Sequence, residues 1–196
     1  MKTIVWDIDD VLNDLTRSWF DLVWKRENPY TEMKYEQLML NPPHELLGMS
    51  REAYLSSLDR FRLSPEAEAM KPHGDVVNWF KEWGALYRHV ALTARPIKTV
   101  SPAISWLMRH FGEWFEAFGF VPSWRPDENP MQPDKKKTDF LAWICKADYF
   151  IDDNTENMTG ADKIGVRSFL AAQPWNNSNM MLSEILRVIN NQNGLG

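Results

Sequence analysis

Asp7, Asp9 and Asp10 crowd the end of a short apolar run, Ile4-Val5-Trp6, close to the start of the chain. Carboxylates that near to one another repel, and the simplest compensation is a divalent cation. A carboxylate nucleophile and a second carboxylate two residues on form a pair suited to cleaving a phosphate ester. Asp7 would attack phosphorus in line, while Asp9 would protonate the leaving oxygen and later activate water. The plainer alternative is an acidic strand-to-loop turn rich in capping residues.

Two more apolar runs end in polar chemistry. Leu86 to Leu92 leads into Thr93-Ala94-Arg95, and Tyr149-Phe150-Ile151 leads into Asp152-Asp153-Asn154. Runs this short and this apolar read as buried strands. Phe118 to Val121 and Gly165 to Leu170 read as two further strands. Between them lie segments of helical periodicity: Val76 to Trp83, ending at Gly84; a helix after Ser101-Pro102 carrying Ile104, Leu107, Met108 and Phe111; one opening at Lys135-Lys136-Lys137 and carrying Phe140, Leu141, Ile144 and Cys145; and Met181 to Ile189. Alternating strands and helices predict an α/β fold, a Rossmann-like parallel sheet flanked by helices. In such a sheet the three polar strand ends share one edge, where ligands bind.

Residues 14–70 break the alternation. Leu15, Trp19, Leu22 and Val23 recur at helical spacing up to Asn28-Pro29, and Ser50 caps a second helix with Tyr54, Leu55 and Leu58. The segment predicts a small helical cap, 14–70, inserted after the first strand of a core made of 1–13 and 71–196. Its rings, Trp19, Phe20, Trp24, Tyr35, Tyr54 and Phe61, suit a buried core, the commoner fate of aromatics. The alternative is that Trp19, Phe20 or Trp24, on the first helix, stacks on a substrate.

Composition narrows the functional classes. The 44% hydrophobic and 25% charged fractions are those of a globular protein with a real core. A net charge of −5 argues against a general nucleic-acid binder. No run is long enough to span a membrane. One Cys, Cys145, rules out an intramolecular disulfide and suits a reducing cytoplasm; it reads as a packing residue. Acidic residues interrupt any amino-terminal apolar stretch, so no signal peptide is expected. His44, His73, His89 and His110 lack metal-ligand spacing and read as structural or surface residues.

On these motifs the chain resembles the haloacid dehalogenase superfamily of phosphohydrolases, and within it the 5'(3')-deoxyribonucleotidase family. The motifs stand in order: Asp7-Ile8-Asp9-Asp10-Val11, Leu92-Thr93-Ala94-Arg95, a lysine among Lys135 to Lys137, and Ile151-Asp152-Asp153-Asn154. Pro72-His73-Gly74 and Gln173-Pro174-Trp175-Asn176 resemble the nucleotidase branch in particular. The resemblance implies a Mg²⁺-dependent phosphomonoester hydrolase working through an aspartyl-phosphate at Asp7, with Asp9 as acid and base. Its substrate would be a small phosphorylated molecule, most simply a nucleoside monophosphate. The metal ligands implied are Asp7, the backbone carbonyl of Asp9, and Asp152 ahead of Asp153. Phosphate would be held by Thr93, the Ala94 amide and a lysine, Lys137 ahead of Lys136. Arg95 would either clamp substrate or cap its loop. The presence of Asp9 favours a phosphatase over the superfamily's dehalogenases. A phosphatase for another small metabolite and a silent binding protein of the same fold are the competing readings. Asp10 departs from the nucleotidase branch, which usually has glycine there. Oligomeric state is not written in these motifs.

Overall fold

The computed structural model of the chain describes residues 1–129, 131–132, 134–144 and 146–195. Cys145 lies outside the described residues, as do Pro130 and Pro133 of the proline-rich loop. Five parallel strands, β1 (Lys2–Trp6), β2 (Tyr87–Arg95), β3 (Phe115–Pro122), β4 (Tyr149–Asp152) and β5 (Arg167–Leu170), form a single sheet in the order β3-β2-β1-β4-β5. This is the Rossmann-like α/β architecture that the alternation predicts. The strand order reverses beside β1: the chain moves outward through β2 and β3, then returns to lay β4 against the other side of β1. At such a switch point the loops leave the sheet in opposite directions and open a crevice at the strand carboxyl ends.

Strand periodicity of two sorts the apolar side chains onto the two faces. Ile4, Trp6, Tyr149 and Ile151 pack with α5 (Gly74–Trp83), α6 (Val100–Phe111) and α9 (Leu182–Gln192), through Trp79, Phe80, Leu107, Phe111, Ile185 and Ile189. Val5, Leu92 and Phe150 point the other way, to Leu141 of α7 (Lys137–Ile144) and to Met158 and Ala161 of α8 (Thr155–Lys163). With both faces covered, the central strands bury apolar residues on both sides, which is why Ile4 to Trp6 and Tyr149 to Ile151 read as continuous runs.

Residues 15–70 contain helices and turns: α1 (Leu15–Trp19), a π-helical stretch (Phe20–Trp24), α2 (Lys25–Glu27), α3 (Arg51–Arg62) and α4 (Pro65–Glu68). The side chains of Ser50 and Ser64 accept from the backbone N–H groups of Ala53 and Ala67, capping α3 and α4. The segment has an apolar cluster of its own, from Leu15 to Ala67, with Trp175 packed against it. Trp19 stands edge-on to Tyr54, and Phe20 stacks on Trp24 with ring centres 5.1 Å apart. These rings are spent on one another.

Boundaries beside the site differ from the sequence reading. Strand β2 continues three residues past Leu92, so Thr93, Ala94 and Arg95 are strand residues paired with Phe120, Val121 and Pro122. Helix α6 begins two residues before Pro102, which the first turn tolerates because its N–H would be unsatisfied there. Gly84 ends α5 where the sequence reading places the end, in a right-handed conformation. What demands glycine there is proximity: a Cβ would lie 2.8 Å from the Trp114 ring.

His89 is a core residue of β2. Trp6 Nε1 donates to its Nδ1 at 3.0 Å, and its Nε2–H donates to the Gly84 carbonyl at 2.9 Å, a pattern that keeps the ring neutral. Burial pushes its pKa down from 6.5 to about 4. As pH falls below 6.5 the unfolded chain takes up this proton first, so the stability His89 contributes is complete above 6.5 and lost toward pH 4. The loss amounts to about 3 kcal/mol. Urea unfolding across this range is expected to show a shallower acid loss for His89→Gln than for the wild type.

Candidate active site

The site sits at the switch point, where β1 and β4 end side by side. The Asp7 N–H continues the ladder by donating to the Ile151 carbonyl at 2.9 Å, which places Asp7 next to Asp152. Lys137, in the first turn of α7, reaches both, with Nζ 2.5 Å from Asp7 Oδ2 and 2.6 Å from Asp152 Oδ2. Asp139 starts that helix by accepting the N–H groups of Lys135 and Lys136. Lys135 and Lys136 are exposed, whereas Lys137 is buried. The other Asp152 oxygen accepts from Asn154 N at 2.8 Å and Asn157 Nδ2 at 3.0 Å. Asp153 Oδ2 accepts from Trp175 Nε1 at 2.8 Å. Its Oδ1 takes no hydrogen bond from the described residues.

Three carboxylates, Asp7, Asp152 and Asp153, thus bring one oxygen each within 4.8 Å of one another, and all are buried. One ammonium cannot balance three negative charges. Burial, reinforced by Asp152 and Asp9, raises the Asp7 pKa to about 7 against the pull of Lys137. Burial and then the charges of Asp152, Asp7 and Asp10 push Asp153 well above the usual carboxylate range. Burial alone would lower Lys137, but Asp152 and Asp7 outweigh it and raise its pKa. Hard oxygen donors with surplus negative charge suit a hard divalent cation such as Mg²⁺, and the residues fit that ion.

Asp9 stands apart from this cluster. Its Oδ1 pairs with Arg95 Nη2, and its Oδ2 accepts from Arg62 Nη2 at 3.1 Å. Burial would raise its pKa, yet Arg95 and Arg62 prevail and hold it below the usual range. Arg95 also donates to the Thr99 carbonyl at 3.3 Å, so it caps its loop while holding Asp9.

Asp10 has a φ of +60°, the left-handed region where glycine is at home. Here the strain is offset locally: Asp10 accepts from the Thr16 N–H at 2.8 Å and the Thr16 hydroxyl at 2.5 Å, capping α1 from outside. Burial raises its pKa to about 7. Gln173 Nε2 donates to the Asp10 carbonyl at 2.7 Å, and Asn176 Nδ2 to the Asp153 carbonyl at 2.8 Å. The Gln173-to-Asn176 stretch therefore braces the two acidic loops from below.

A cavity of about 260 Å³ opens over the carboxylates. Its floor includes Asp7, Asp9, Thr93, Ala94, Lys137, Asp152 and Asp153; its walls include Tyr54, Leu55, Arg51 and Arg62 from α3, and Arg125. Thr93 is buried, and its hydroxyl has no hydrogen-bond partner among the described residues. A buried hydroxyl facing a cavity with nothing to bond is costly unless a ligand satisfies it. Asp7, Asp9, Thr93, Ala94, Lys137, Asp152 and Asp153, named from sequence as catalytic, phosphate-binding or metal-binding candidates, all line this one cavity, whereas Arg95 and Lys136 do not. Trp19, Phe20 and Trp24 do not line it, because they are committed to the segment's own core. The walls come instead from α3, and sequence reading passed over Arg62, Asn157 and Trp175. Only the Gln173-to-Asn176 motif hinted at the last of these.

No family model matches the sequence, and no curated protein matches it. Solved structures do. A hydrolase from Streptococcus pneumoniae TIGR4 superposes with a TM-score of 0.63 at 11% identity, covering 97% of this chain and 100% of that one. A haloacid dehalogenase-like family hydrolase from Streptococcus pneumoniae gives 0.56 at 14% identity over 87% and 84%. A haloacid dehalogenase superfamily hydrolase of subfamily IA from Geobacter sulfurreducens PCA gives 0.56 at 12% identity over 100% and 97%. The fold is the haloacid dehalogenase fold.

The charge balance is directly testable. Lys137→Met leaves Asp7 and Asp152 facing each other without their cation, and removing one partner of a buried ion pair typically costs about 3–5 kcal/mol. Urea unfolding in the presence of chelator is expected to show a loss of that size, and added Mg²⁺ to restore part of it.

Proposed function

We propose that the protein is a Mg²⁺-dependent phosphomonoester hydrolase of small phosphorylated molecules, working through an aspartyl-phosphate at Asp7. The observation that carries this reading is the unpartnered, buried Thr93 hydroxyl on the floor of a cavity that also holds Asp7 and Lys137. A phosphoryl group there would satisfy Thr93 and meet the Lys137 ammonium, while the Asp7 carboxylate attacks phosphorus. Bound Mg²⁺ would offset the anionic charge of substrate and carboxylates together. Asp7, Asp153 and the Asp9 carbonyl would hold it. Asp153 is the better-placed acidic partner, since one of its oxygens takes no hydrogen bond from the described residues, whereas both Asp152 oxygens are occupied. That reverses the order the motif implies.

Asp9 moves the proton. Its guanidinium partners hold it ionised beforehand, so it would take up a proton before the chemical step. It would then give that proton to the leaving oxygen as the ester P–O bond breaks and the Asp7–phosphate bond forms, and take one back from water as that bond hydrolyses. The helical segment 14–70 acts as the cap, covering the leaving group and so setting selectivity. The finer proposal, a 5'-nucleotidase, is supported by the resemblance of Pro72-His73-Gly74 and Gln173-to-Asn176 to that branch. It draws no support from Trp19, Phe20 or Trp24; Tyr54 is the aromatic residue that reaches the cavity.

Phosphate release by the purified protein from a panel of nucleoside and sugar monophosphates, with Mg²⁺ and with EDTA, tests the reading. Turnover is expected with Mg²⁺ only, and Asp7→Asn is expected to fold and lose at least about 10³-fold in kcat. Hydrolysis by Asp7→Asn at the wild-type rate would refute the aspartyl-phosphate. In the same panel Trp19→Ala and Phe20→Ala should lower Tm without changing the ranking of substrates, whereas Tyr54→Ala should change it.

A further inference from the structure

Nothing in its own loop fixes the Asp9 side chain; among the described residues its carboxylate partners are two guanidinium groups. One, Arg95, comes from the end of β2. The other, Arg62, is the last residue of α3, more than fifty positions along the chain. Arg62 is forked between two carboxylates: Nη2 on Asp9, and Nη1 on Asp59 at 3.2 Å. Asp59 is in turn held by Arg125, with Nε at 2.6 Å and Nη2 at 2.7 Å, and Arg125 is tied to the Ser123 hydroxyl and the Trp124 carbonyl beyond β3. The Arg62, Asp59 and Arg125 side chains are 9%, 4% and 4% exposed. At that burial each partner depends on the other, unlike an exposed pair. The relay therefore runs from the Asp9 loop, through the helical segment, back to the loop after β3.

We propose that Arg62 is a positioning residue that aims Asp9 at the reacting oxygen, so that docking of the helical segment and alignment of the acid–base carboxylate are one event. A planar guanidinium bridges two carboxylates through two nitrogens in a fixed geometry, whereas a lysine offers one nitrogen on a flexible stem. With Arg62 removed, Asp9 keeps only the Arg95 contact and can swing out of line. The inference rests on the phosphohydrolase reading, in which Asp9 carries the proton.

The test is kcat and KM for p-nitrophenyl phosphate with Mg²⁺, with Tm alongside, for wild type, Arg62→Met, Arg62→Lys, Asp59→Asn and the Arg62→Met/Asp59→Asn double variant. Arg62→Met is expected to lower kcat by about 10–100-fold, the usual scale for a residue that orients a reacting group, with KM little changed. Arg62→Lys should recover part of that loss. Asp59→Asn should lower kcat in the same direction, and the double variant should be no slower than Arg62→Met, because both act through one relay. Wild-type kcat in Arg62→Met, a loss carried entirely by KM, or additive losses in the double variant would each overturn the proposal. If Arg62→Met does not fold, Arg62→Lys and Asp59→Asn decide it on the same criteria. Should the wild type release no phosphate from any monoester, the hydrolase reading is what fails. The relay is then judged by thermal unfolding of Asp9→Asn, Arg62→Met and their double variant: overlapping Tm losses support it and additive ones overturn it.

Discussion

The structure depends on balancing buried negative charge. Asp7, Asp152 and Asp153 converge where two parallel strands end, and the protein answers them with a single ammonium, Lys137. Every other feature of the floor follows from that shortage. Neutral donors, the Asn154 N–H, Asn157 and Trp175, take up carboxylate oxygens that a cation would otherwise have to satisfy. The pKa values of Asp7 and Asp153 rise because desolvation and mutual repulsion together exceed what Lys137 supplies. Such a floor carries surplus negative charge of the kind an added divalent cation would offset.

The second acidic residue of the motif lives under the opposite regime. Asp9 meets two guanidinium groups and is held ionised, while Asp7, two residues away, is pushed toward neutrality. The two carboxylates of one loop thus have their pKa values driven apart by their neighbours. The ammonium beside Asp7 comes from α7; the guanidinium groups beside Asp9 come from β2 and α3.

The helical segment meets the sheet through polar as well as apolar contacts. Its aromatic residues satisfy one another, giving it a core that does not borrow from the sheet. What faces the sheet is the polar end of α3, the Asp10–Thr16 cap and the Tyr35–Gln173 hydrogen bond of 2.9 Å. Polar junctions of this kind resemble those between mobile domains more than those within a single core.

Much of this was legible in the sequence. A strand buried on both faces must be apolar along its length, so β1, β2 and β4 announced themselves, and the polar residues where they stop marked the site edge. The acidic residues, Thr93 and the lysine run were visible because their chemistry is local: type and position at a strand end are enough. Tertiary structure alone decided the rest. Its place at the start of the helix put Lys137 ahead of Lys136, but only the turn of α7 shows that it is buried between two aspartates. Trp19, Phe20 and Trp24 had helical spacing suited to either a core or a ligand platform, and packing against Tyr54 and the rest of the segment settled it. Arg62 was invisible because a guanidinium at the end of a surface-like helix carries no local sign of what it will bond. Its partner, Asp9, lies on a distant stretch of chain, and no periodicity or motif encodes a contact made across that separation. Ordering of the chain creates the pair, and with it the charge state of Asp9.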